Sequence, residues 1–215
     1  MVNIRNILEI SNNKNIISIL QLSGQLGQDE GIEIYAVGGL VRDLIMNCRL
    51  NDIDIMVVGN GIEFAWKLAN KLNLNKVVEF EKFGTAIIPN NGLQIEIASA
   101  RIESYERESR KPLKVVYTDL NNDLIRRDFT INSIAIDIRP KNFGDLIDPH
   151  GGIRDIESKL LKTPLDPDET FSEDPLRMMR AAYFISKLGF KIEKKCFVSI
   201  KKQSNRINIV SWERI

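Results

Sequence analysis

Two acids interrupt an otherwise apolar run in "RLNDIDIMVVG", residues 49–59: Asp52 and Asp54. On a strand, residues i and i+2 share a face, so both carboxylates would look the same way. A buried strand prefers unbroken Val and Ile, and an unpaired buried carboxylate is costly. Like charges on one face repel unless a cation lies between them, and a divalent metal fits that need. A strand end where both acids meet solvent or a nearby arginine is the plainer alternative. Glu96, set between Ile95 and Ile97 in "LQIEIAS", is a third acid in a strand-like run. Three carboxylates on adjacent strands make a hard-oxygen site suited to Mg²⁺, which binds substrate phosphates and keeps some of its water. That is the composition of a two-metal phosphoryl-transfer centre acting on a hydroxyl and a triphosphate. The absence of G-x-x-x-x-G-K-[ST] argues against P-loop chemistry.

Three further motifs could serve the same chemistry. In "VGGLVRD", Gly38 and Gly39 lie between a strand and a helix, where the backbone can approach a ligand and free N–H groups favour phosphate. Arg42, in the first helical turn, could reach the same anion; a plain turn with a solvated arginine is the alternative. In "RRDFTIN", residues 126–132, Arg127 could reach a triphosphate while Asp128 and Asn132 bond sugar hydroxyls. An exposed helix start capped by Asp128 would look the same. In "EDPLRMMR", Asp174, Arg177 and Arg180 stand three apart on one side of a helix with Ser172 as N-cap and Pro175 in its first turn. An acid and a guanidinium fork there could read a nucleobase edge, or form an ordinary ion pair.

The elements that must position these residues alternate strand and helix. Residues 14–26 predict an amphipathic helix, "IEIYAV" a strand, "GGLVRDLIM" a helix, "DIDIMVVG" a strand, and Ile62–Leu72 a helix. "KVVEF", "TAIIP" and "LQIEIAS" predict strands, the last entered through "NNG". "RIESYERESRKPLK" has no periodicity and predicts a mobile loop over 101–118 carrying Arg107, Arg110, Lys111 and Lys114. "FTINSIAIDI" is apolar again, and "DPHGG" reads as a turn in which His150 is a turn residue. Beyond about residue 150 the patterning is helical with no strand candidates. The expectation is an α/β (α+β) first domain, 1–150, with a small mixed sheet, then an all-helical domain, 151–215.

The 215 residues, 43% hydrophobic, suffice for one large or two small domains. Thirty basic against twenty-nine acidic residues give a net charge of +1, which favours nucleic acid only through a local patch. Cys48 and Cys196 stand far apart, as reduced thiols of a cytoplasmic protein. No stretch reads as a signal peptide or as the roughly 18 apolar residues of a membrane span. The terminal "SWERI" ends abruptly and suggests a fragment.

In this order and spacing, "GGLVRD", "DID", "RRDFTIN", "DPHGG", "EDPLRMMR" and the terminal "ERI" resemble the bacterial-type (class II) tRNA nucleotidyltransferases, the CCA-adding enzymes, and their poly(A) polymerase relatives. The resemblance covers nearly the whole chain. It implies a nucleotidyltransferase head to about residue 150, a helical neck, and addition of C, C and A from CTP and ATP to the tRNA 3′ end. It matches Asp52 and Asp54 to the metal-binding pair, with Mg²⁺ as cofactor, and Glu96 to the third acid. It matches Gly39 and Arg42 to triphosphate contacts, Arg127, with Asp128 and Asn132 beside it, to the phosphate and ribose grip, and Asp174 and Arg177 to the nucleotide-selecting template. Arg180 matches a further nucleotide contact. The family commonly reads R-x-x-R-x-x-R along this helix, and the last place here is Tyr183; Asn51 stands where lysine is frequent. The "GRRF"-like stretch of the poly(A) polymerases is absent, "EKFGT" standing in its place, which leans toward CCA addition. Poly(A) synthesis, partial addition, and a nucleotide- or RNA-binding module without turnover are the alternatives.

Overall fold

The computed structural model describes residues 3–4, 13–105 and 112–210, with backbone alone for 102–105 and 112–115. Helix α1 (Lys14–Asp29) buries Ile16, Ile17, Ile19 and Leu20. Its Gly24 and Gly27 let it lie close on its neighbours: an added Cβ at Gly24 would collide with the Ile138 carbonyl, and one at Gly27 would come 2.6 Å from the Ile34 side chain. Then follow β1 (Ile34–Val37), α2 (Gly39–Ile45), β2 (Asp52–Val57), α3 (Gly61–Lys71), β3 (Val78–Phe80), β4 (Thr85–Asn90) and β5 (Leu93–Ser99). A hairpin of β6 (Arg101–Tyr105) and β7 (Pro112–Tyr117) leads to α4 (Leu120–Ile125), β8 (Ala135–Asp137) and β9 (Asp145–Ile147).

The main sheet runs β3-β4-β5-β2-β1-β8-β9. All its pairings are antiparallel except β2 with β5, where the chain returns through α3 and the β3–β4 hairpin. The two-residue period of these strands creates the site. Ile53, Ile55 and Val57 of β2 and Ile95 and Ile97 of β5 enter the main core, where Phe64, Ala65, Leu68 and Ala69 of α3 also lie. Asp52, Asp54 and Glu96 consequently face the other side, part of which a second apolar cluster of Tyr35, Val37, Met56, Leu120 and Leu124 covers.

After α5 (Gly152–Glu157) come β10 (Leu160–Leu161), α6 (Pro167–Glu173), α7 (Leu176–Leu188), β11 (Lys191–Ile192) and α8 (Lys194–Gln203). The core is continuous: Phe171, Met178, Phe184 and Cys196 belong to the same cluster as Ile55 and Phe129. No helix of the described residues is long and apolar enough to cross a membrane.

Three expectations are corrected. Residues 151–210 are not all helical, because Leu160–Leu161 and Lys191–Ile192 pair in parallel. These strands are two residues each, fixed by long-range backbone bonds such as Glu193 N–H to Leu161 O (2.9 Å) rather than by any local pattern. The expected loop over 101–118 is a paired hairpin where described; Arg107, Arg110 and Lys111 lie outside the described residues, as does the terminal "ERI". Finally, the "EDPLRMMR" helix does not start at Ser172. That residue lies inside the preceding helix, which ends at Glu173; Asp174 is extended (φ −135°, ψ 103°), and α7 starts after Pro175. Proline has no N–H to donate and pushes the residue before it out of the helical region, so the chain breaks there.

Candidate active site

The parallel register sets Asp54 directly opposite Glu96 and Asp52 opposite Gln94. Burial first, then the Glu96 and Asp52 charges, push the Asp54 carboxyl up to about 6, against the pull of Arg127 and the Leu40 backbone N–H. The Leu40 N–H belongs to the first turn of α2, so part of that helix terminus is directed at Asp54 itself. Gly38 makes this approach possible. It has φ of 68°, and a Cβ there would lie 2.9 Å from Arg127 Nη1 and 3.8 Å from Asp54 Oδ2. A Cβ on Gly39 would lie 3.6 Å from Arg42 Nη2 and 3.7 Å from Asp54 Oδ2, so the glycine pair runs beside this acid.

Around the acids stand arginines held by a buried polar network. Arg42, 4% exposed, donates from Nη1 to Asn132 Oδ1 (2.7 Å) and from Nε to Asp43 Oδ1 (2.8 Å). Asn132 donates in turn to Asp128 Oδ1 (3.0 Å), and Asp128 Oδ2 accepts from Arg180 Nε (2.6 Å). The ring of Phe184 closes this circuit, with the Arg42 and Arg180 guanidiniums each 5.2 Å from its centroid. Asp123 accepts from Arg126 Nη2 (2.9 Å) on one oxygen and from Arg127 Nη2 (2.9 Å) on the other. Burial alone would raise both Asp123 and Asp128; Arg127 and Arg126 for the first, Arg180 and Asn132 for the second, outweigh it and hold both carboxyls low.

The segment from α6 into α7 contributes the far wall. Arg177 donates to the carbonyls of Arg126 (2.8 Å) and Thr170 (3.3 Å) and pairs with Glu173 (3.2 Å). Asp174 accepts from the Leu176 N–H (3.0 Å) at the entry to α7. The resulting cleft is about 670 Å³ and is lined by Gly38, Gly39, Arg42, Asp54, Glu96, Arg127, Asp128, Asn132, Asp174, Arg177 and Arg180. Asp52, exposed at the start of β2, is the one expected site residue outside that lining. The acids share a face without forming a cage: among the described residues no three His, Cys, Asp or Glu side chains gather closely enough to hold a metal ion. The donor chemistry still fits Mg²⁺, which takes one or two carboxylates with the rest from water and phosphate.

Asp123, Arg126, Phe184 and Lys187 line the cleft without having been singled out in the sequence. Asp123 was legible, since it stands three and four residues before Arg126 and Arg127, the spacing of helical ion pairs. Phe184 reads as an ordinary core position, because nothing local reports the two guanidiniums on its ring. Phe184→Leu keeps an apolar side chain but removes that ring; triphosphate affinity, measured as Kd by titration calorimetry, is expected to weaken roughly fivefold.

Residues 34–162 match the family model described as the poly A polymerase head domain. The chain belongs to that family. Among its relatives, an A-adding tRNA nucleotidyltransferase of Geobacter sulfurreducens is 40% identical over 179 residues, 83% of this chain and 20% of that protein. A CCA-adding enzyme of Geobacillus sp. is 36% identical over 189 residues, 87% of this chain and 45% of that one. The structure of the Thermotoga maritima CCA-adding enzyme complexed with tRNA superposes with a TM-score of 0.83 at 32% identity, covering 99% of this chain and 48% of that chain. The chain thus spans between a fifth and about half the length of these head-domain relatives.

Proposed function

We propose that this chain is the catalytic and nucleotide-selecting part of a template-independent RNA nucleotidyltransferase, completing the CCA end of tRNA from CTP and ATP. The observation that carries this reading is the pairing of Asp54 with Glu96 on the face of the sheet that lines the cleft, opposite a set of arginines. Residues to about 150 act as the head and those beyond as the neck. Mg²⁺ held by Asp52 and Asp54 would supply, when bound, the charge that offsets the triphosphate and acidifies the attacking 3′-hydroxyl, in the manner of two-metal centres.

The chain's own residues do the rest. Gly38 and Gly39 let the triphosphate lie against the backbone. Arg42 and Arg127 pair with its oxygens; each is already braced by a buried side chain, so little freedom is lost on binding. Asp128 and Asn132 keep Arg180 and Arg42 aimed at the cleft and offer their remaining acceptor capacity to the ribose. Asp174 and Arg177 present an acceptor and a donor fork to the base edge. Glu96 adds to the negative field at Asp54. Unpaired Cys48 and Cys196 are consistent with a cytoplasmic setting.

A second reading, addition of the terminal A alone, is favoured by the relatives named A-adding, which reach 40% and 41% identity. Labelled CTP and ATP, supplied separately with Mg²⁺ to tRNAs ending before CCA and after CC, decide between them. Incorporation of C on the first tRNA and A on the second supports CCA addition. Incorporation of A alone, on the second only, supports the partial reaction. ATP extending any RNA would instead indicate poly(A) synthesis, and nucleotide binding without incorporation a binding module.

A further inference from the structure

The helix α7 presents its cleft-lining residues in one continuing row: Arg177, Arg180, then Tyr183, Phe184 and Lys187. From Arg177 to Lys187 the row spans roughly 15 Å at 1.5 Å per residue. That is longer than a single base and ribose require, and its two halves differ in kind. Arg177 and Arg180 are tied into the polar network. Tyr183 is 53% exposed, its ring set edge-on against buried Phe184 with centroids 5.3 Å apart, so the free ring is braced from behind. The Lys187 ammonium lies over one face of the Tyr183 ring, 5.3 Å from its centroid, and among the described residues no carboxylate pairs with it. An exposed, braced aromatic ring that carries a cation with no carboxylate partner, opening into a cleft of arginines, is the arrangement that takes single-stranded nucleic acid: a base stacks on the ring, and the long lysine side chain swings from the ring to the adjoining phosphate.

We propose that Tyr183 and Lys187 form a second nucleotide subsite, stacking a base of the single-stranded RNA 3′ end on the Tyr183 ring and pairing the adjoining phosphate with Lys187. This rests on the nucleotidyltransferase reading above and assigns the RNA end a place beyond the nucleotide held at Asp174 and Arg177. It also gives a physical sense to Tyr183 standing where the family commonly has arginine: the charge moves one helical turn onward to Lys187, and a stacking surface takes its place.

The test measures affinity of the purified chain for a fluorescent single-stranded RNA ending in CC, by anisotropy over a salt series, with ATP affinity measured in parallel. Tyr183→Leu is expected to weaken RNA binding about tenfold and Tyr183→Phe to restore it, since stacking needs the ring and not the hydroxyl. Lys187→Ala is expected to weaken RNA binding and to reduce the slope of log K against log salt by about 0.7, the share of one lost phosphate contact on a single strand. Circular dichroism checks that each variant is folded. If parent, Tyr183→Leu and Lys187→Ala bind RNA alike, or if the loss falls on ATP instead, the subsite is wrong while the assignment of the cleft stands. If the parent chain binds neither ATP nor RNA, the nucleotidyltransferase reading falls and the subsite falls with it.

Discussion

Asp54→Asn is expected to reduce nucleotide addition by on the order of 10²–10³ or more, the scale of losing a group preorganised around a transition state, without weakening the fold. The second half of this expectation is what separates a catalytic acid from a structural one. Asp54 is largely buried, faces Glu96 across the β2–β5 pair, and has Asp52 on the same face. Its carboxyl is pushed up to about 6, so its negative charge is held against the preference of its surroundings. An amide of the same shape removes the charge, keeps an acceptor for the Leu40 N–H, and relieves the repulsion with Glu96. The melting temperature of Asp54→Asn should therefore equal or slightly exceed that of the parent. Incorporation of labelled ATP onto tRNA ending in CC, read beside a thermal melt, checks both. Activity within tenfold of the parent would remove Asp54 from the chemistry, and a large drop in melting temperature would make it a packing residue.

The acids of β2 and β5 were legible because their spacing carries the answer. A period of two with Ile on one side and Asp or Glu on the other can only be a strand with one core face and one used face. The glycine pair at the start of α2 was legible for a related reason, since the positive φ at Gly38 admits few other residues. What stayed hidden depended on partners distant in sequence. Strands β10 and β11 are two residues long and exist through backbone bonds across about thirty residues, which no window of local pattern contains. The strands β6 and β7 mix charged residues such as Arg101, Glu103 and Lys114 with apolar ones, so the segment does not show the strict alternation that marks a strand. The expected start of α7 is misplaced because Ser172 qualifies as a cap by residue type, and only the backbone restriction imposed by Pro175 moves the start beyond it. Asp128 and Asn132 were expected to face the substrate. They are buried, and their largest visible role is to hold Arg180 and Arg42. A motif fixes which side chains matter more readily than whether each touches the ligand or the residue that does.

The same distinction makes Asp123 the most consequential residue that no motif marks, and Asp123→Asn is expected to destabilise the chain. Its carboxylate is 2% exposed and holds two arginines, Arg126 and Arg127, which are themselves only 22% exposed. Removing its charge leaves two adjacent guanidiniums facing a neutral amide in a largely desolvated place. Breaking a buried pair fully costs about 3–5 kcal/mol, and partial exposure of the arginines puts the expectation below that range, at about 2–3 kcal/mol. For a chain of this size that lowers the melting temperature by roughly 5–10 °C. The pH dependence follows from the direction of the shift. Burial raises the Asp123 carboxyl, Arg127 and Arg126 outweigh it, and the net result lies below the ordinary carboxylate range. A group lowered on folding stabilises the folded state above its unfolded pKa of about 4, and that contribution is lost as the pH falls from there through the folded value. Parent and Asp123→Asn should thus differ most at neutral pH and converge below about pH 4. Thermal melts of both proteins across that range check it; a gap that is constant with pH would mean that Asp123 acts by shape rather than charge. Because Asp123 also fixes Arg127 beside Gly38, the variant should lose triphosphate affinity at neutral pH along with stability, whereas a purely structural carboxylate would cost stability alone.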